Sequence, residues 1–96
     1  MVEPISIRIA ALTRTGKKIR ANLVRLRKAK LTRGKLDLTP EARTPMVQEL
    51  EGVRTQLSRL IIVSGGIAHP DPDLMKLLDI ARRVVADCDD ILSLLL

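Results

Sequence analysis

Two apolar stripes in the second half of the chain limit what it can become. Met46, Leu50, Val53, Leu57, Leu60 and Ser64 step by four and three residues, the spacing that lines one face of an α-helix. Beyond a stretch rich in Gly and Pro, Leu74, Leu78, Ala81, Val85, Cys88, Leu92 and Leu95 repeat the step. Stripes of this kind must be buried, and a short connection brings them against each other or onto a third element. They therefore predict an antiparallel helical hairpin.

Local chemistry marks the ends of the hairpin. Thr39-Pro40-Glu41 and Asp71-Pro72-Asp73 each offer a capping oxygen, a proline for the first helical position and a carboxylate near the positive end of the dipole. Ser64-Gly65-Gly66 is a glycine stop, with Ile67-Ala68-His69-Pro70 as the loop. Pro45 would deny a continuous helix its bond back to Glu41. A short first turn and a main helix from Pro45 are therefore expected.

The opening segment supports two conformations. Ile5, Ile7 and Ile9 alternate with Ser6 and Arg8, a strand pattern that would need a second chain to satisfy its backbone. A ribbon-helix-helix dimer uses such a strand to enter the major groove. The same residues also begin a helical stripe, Ile5, Ile9, Leu12, Gly16, Ile19, Leu23, Leu26 and Lys30. The helix explains more positions and is preferred, with Thr13-Arg14-Thr15-Gly16 as its weakest point and Gly34 as its stop. The fold class is all-α: an up-down-up three-helix bundle over 4–33, 40–64 and 72–95, built on the C-terminal hairpin. A short N-terminal strand is the alternative. The 96 residues make a single domain.

Charge divides the chain. Residues 1–36 carry eleven Lys and Arg against Glu3 alone, whereas residues 37–96 hold six basic and ten acidic side chains. Such asymmetry points to a polyanionic partner for the first segment, or to the halves neutralising one another. On a helix, Arg14, Lys17, Lys18, Arg25 and Lys28 fall opposite the apolar stripe, and Arg20 and Arg27 flank it. A broad basic face suits phosphate-backbone contact. Without Phe, Tyr or Trp there is nothing to stack on unpaired bases, so duplex nucleic acid is preferred over single strands. The expected nucleic-acid-binding residues are Arg14, Lys17, Lys18, Arg20, Arg25 and Lys28. In an up-down-up bundle Asp87, Asp89 and Asp90 would lie level with Arg25, Arg27, Lys28 and Arg33, leaving Arg14, Lys17, Lys18 and Arg20 without acids. Asp79 with Arg83, and Arg83 with Asp87, are spaced to pair along the last helix.

Catalytic chemistry finds no support. His69 and Cys88 are the only residues of their kinds, so no metal site or nucleophile–base pair can be assembled from them, and no cofactor, metal or small-molecule substrate is expected. Asp71 and Asp73 are explained by capping, and Cys88 by burial in the apolar stripe. No secretory signal or membrane span is expected, and one cysteine fits a reducing compartment, so the expected location is the cytoplasm.

The stretch Leu50-Glu51-Gly52-Val53-Arg54-Thr55-Gln56-Leu57-Ser58-Arg59-Leu60, followed by a glycine break and a Leu-rich final helix, faintly resembles the C-terminal region of relaxosome accessory proteins of mobilisable plasmids. Such proteins help a relaxase act at a DNA origin. The asparagine-rich core of that region is absent between Val53 and Leu60, and the assignment is not adopted. The expected function is that of a non-enzymatic accessory protein. It would bind duplex nucleic acid through the basic helix and a partner chain, in a homodimer, through Leu50, Val53, Leu57, Leu78, Val85 and Leu92. The alternative is a protein-directed adaptor or regulator whose basic helix meets an acidic protein surface.

Overall fold

The computed structural model describes residues 4–34, 36, 38–67 and 71–96. Glu3, Lys35, Asp37, Ala68, His69 and Pro70 lie outside the described residues, so the expected loop falls partly outside them. Among those described there are three helices, α1 (Ile5–Arg33), α2 (Pro40–Ser64) and α3 (Pro72–Leu95), and no strand.

The strand alternative for Ile5, Ile7 and Ile9 is thereby corrected. The backbone N–H groups of Ile7 and Arg8 donate to the Pro4 carbonyl at 3.0 and 3.4 Å, opening a helix that satisfies its backbone internally. α1 also passes through Thr13–Gly16 without a break. The Thr13 and Thr15 hydroxyls donate to the carbonyls of Ile9 and Ala11 one turn back. Gly16 is there for proximity: a Cβ built on it would lie 3.0 Å from Val84 Cγ2 of α3. α1 ends at Gly34, whose φ of 77° is the left-handed region glycine adopts without strain, and whose N–H donates to the Lys30 carbonyl at 2.8 Å.

α2 corrects a second expectation, because it is continuous from Pro40 with Pro45 inside it. Thr39 Oγ1 accepts from the Ala42 N–H at 3.2 Å, and the Thr44 hydroxyl donates to the Pro40 carbonyl at 3.0 Å. Pro45 and Glu41 are exposed, so water can serve the carbonyl that the proline leaves without a donor. α3 starts on Asp71, whose Oδ1 accepts from the Leu74 N–H at 2.8 Å.

α3 is the shared element. It packs against both other helices, while no Cα of α1 comes within 8 Å of one in α2. A helix covered on two sides needs two stripes, and α3 buries Leu77, Leu78, Ala81, Val84, Cys88, Ile91, Leu92 and Leu95. The single predicted stripe therefore lacked Leu77, Val84 and Ile91, and its Leu74 and Val85 are only half-buried. α1 contributes Ile19, Leu23 and Leu26 to this core, and α2 contributes Leu50. Successive contacts of α1 with α3, Gly16 to Val84, Arg20 to Asp87 and Arg27 to Asp90, rise together in residue number. The molecule measures 48 × 23 × 20 Å. α1 alone, at 29 residues, accounts for about 43 Å of that length. No helix among the described residues is long and apolar enough to cross a membrane.

Candidate nucleic-acid interface

The burial of Ile19, Leu23 and Leu26 against α3 fixes which way the rest of α1 faces. Arg14, Lys17, Lys18, Arg25 and Lys28 are all exposed, and by helical step they share the side opposite that core. From Arg14 to Lys28 they occupy about 21 Å of helix. Among the described residues no acidic side chain pairs with any of the five. The Arg25 guanidinium donates to Asn22 Oδ1 at 3.1 Å, a neutral contact that keeps its charge available and corrects the expected pairing with α3 acids.

The cations turned toward α3 behave differently. Arg20 Nη1 donates to Asp87 Oδ1 at 2.9 Å, and Arg27 Nη2 to Asp90 Oδ2 at 3.0 Å. Arg20, expected to be without an acid, is thus neutralised. Its angular position, 60° or so from the Leu23 direction on an ideal helix, places it beside α3 rather than on the outer face. Asp89 is taken by Arg54 of α2 at 3.1 Å, and Asp79 by Arg82 at 3.4 Å rather than by Arg83. The last helix thus uses its carboxylates mainly to tie down its neighbours, each exposed pair contributing about 0–1 kcal/mol.

The residues expected to meet a partner chain are placed mostly inside the protomer. Leu50, Leu78 and Leu92 are buried, and Val53, Leu57 and Val85 are half-buried. Apolar surface on the hairpin is instead found at Ile62 and Val63, both about three-quarters exposed, and at Met75. Their signal in the sequence is that they fall outside the apolar stripes.

Cys88 is fully buried in the core. Burial, reinforced by the carboxylates of Asp89 and Asp87, pushes its thiol up to about 11. The unfolded thiol loses its proton near pH 9, two units before the native one does, so the unfolded state binds fewer protons in that window. Stability is therefore untouched by this group below pH 9 and falls as pH rises from 9 toward 11. A Cys88→Ser variant should lose that alkaline decline in denaturant titrations at pH 8 and pH 10. In the native chain, alkylation of Cys88 at pH 8 should be about 100-fold slower than that of the unfolded chain from ionisation alone.

No protein-family model, curated protein or solved structure matches this chain.

Proposed function

We propose that the protein is a non-enzymatic accessory factor that binds duplex nucleic acid through the outer face of α1 and a second copy of itself through the hairpin. The observation that carries this reading is the sorting of the cations on α1. Those facing α3 are matched with aspartates, while Arg14, Lys17, Lys18, Arg25 and Lys28 stand exposed on one side without an acid. An α-helix with its side chains is about as wide as the major groove, and a positive face of this length can follow the phosphates beside it. The rising contacts between α1 and α3 favour the up-down-up order, and Lys18 forms the edge of that outer face where it borders α2, in a groove it shares with Glu49. Ile62, Val63, Ile67, Met75 and Leu96 are the large apolar side chains exposed on the hairpin for self-association, because Leu50, Leu78 and Leu92 already serve the protomer's own core.

Salt dependence tests the reading. Five phosphate contacts give a slope of about −4.5 in log affinity against log salt, so raising salt from 50 to 200 mM should weaken duplex binding by about 500-fold. Absence of duplex binding at 50 mM salt would favour the adaptor reading, in which the same face meets an acidic protein.

A further inference from the structure

An open groove of about 820 Å³ runs between α1 and α3. Its floor is formed by Ile9, Gly16, Ile80 and Val84. The groove exists because glycine at position 16 lets the two helices meet backbone to side chain. The Gly16 Cβ position would be only 3.0 Å from Val84 Cγ2, so no side chain of α1 rises above the floor there.

The rim is charged with one sign in excess. Lys17, Arg20, Lys76 and Arg83 border the groove together with Asp79 and Asp87. Both acids are engaged, Asp87 by Arg20 and Asp79 by Arg82. Lys17, Lys76 and Arg83 are exposed and have no acidic partner among the described residues. An apolar strip thus lies between cations on both banks. On α1, Lys17 and Arg20 of the bank share a line with Val24, Arg27 and Leu31 outside the groove, by steps of three and four. In that line Val24 is 53% exposed and Leu31 88%.

We infer that this groove docks an amphipathic helix of acidic character from a partner protein. Along α3 it extends from Lys76 to Asp87, about 16 Å or three turns, which suits apolar anchors at i, i+4 and i+7. Glutamates or aspartates flanking those anchors would meet Lys17 on one bank and Lys76 and Arg83 on the other, giving the complementarity that selects and steers a partner. The outer face of α1 from a second copy would bring Arg14 and Lys18 against the same cations and be repelled. Lys76 and Arg83 belong to α3, so the site shares only Lys17 with the face proposed for duplex nucleic acid.

The test uses the full chain and two labelled helical peptides of about five turns, both with leucines at i, i+4 and i+7. One carries Glu on the flanks and the other Lys. The Glu peptide should bind saturably and move the methyl resonances of Ile9, Ile80 and Val84, while the Lys peptide binds about tenfold more weakly or not at all. Lys76→Glu with Arg83→Glu should weaken the Glu peptide by about tenfold or more without altering the helical circular dichroism, because both side chains are exposed. Four results would each overturn the inference: no saturable binding, equal binding of both peptides, methyl shifts confined to α2, or indifference to the double substitution. Concentration-dependent shifts of the same methyls without peptide would also overturn it, by assigning the groove to a second copy.

Discussion

Replacing Leu23 with alanine lowers the unfolding free energy by about 3 kcal/mol, a large share of the roughly 5–15 kcal/mol that holds a domain of this kind together. Leu23 is fully buried and is one of only three α1 side chains in the core. The α1 backbone approaches only α3, with no Cα of α2 within 8 Å, so few groups can move in to fill a cavity at Leu23. The core holds no aromatic side chain that could swing over the gap. Leu31 is the matched control, because at 88% exposed its change to alanine should alter stability by less than about 0.5 kcal/mol. Urea unfolding followed by circular dichroism compares the two. Equal midpoints would mean that α1 is not seated on α3 through this residue.

The helices were readable because their ends are written in local chemistry. Thr39 and Asp71 cap their helices through side-chain oxygens, and Gly34 closes α1 in a left-handed conformation. What local rules miss is the number of neighbours each helix has. One apolar stripe on α3 is what a hairpin needs, whereas a helix packed on two sides also buries Leu77, Val84 and Ile91. The same ignorance of neighbours misplaced Arg20, whose angle on the α1 wheel puts it within reach of an acid only once α3 lies beside it. Pro45 was read by its missing N–H, but the cost of that loss depends on whether water reaches the Glu41 carbonyl. Near an exposed helix start it can. Gly16 shows the reverse error, a residue read as a weak point in a helix that turns out to set the closeness of two helices. As for the basic face, its residues were readable from spacing, but the division between neutralised and unpaired cations was not.

That division makes the second large effect predictable. Under the proposed function, Lys17→Glu with Lys18→Glu should reduce duplex affinity by about a thousandfold at 100 mM salt, since two phosphate contacts are lost and two carboxylates are set against the same phosphates. Fold stability should move by less than about 0.5 kcal/mol, because both lysines are exposed and neither pairs with an acid among the described residues. Arg20→Ala should do the opposite. It leaves the Asp87 side chain, only 15% exposed, without its guanidinium, costing up to about 1 kcal/mol of stability while duplex affinity changes little. Filter retention of a labelled duplex and urea unfolding on the same three proteins separate the two behaviours. A larger loss of duplex binding from Arg20→Ala than from the lysine pair would place the nucleic acid against α3, and the outer face of α1 would then have no claim to it.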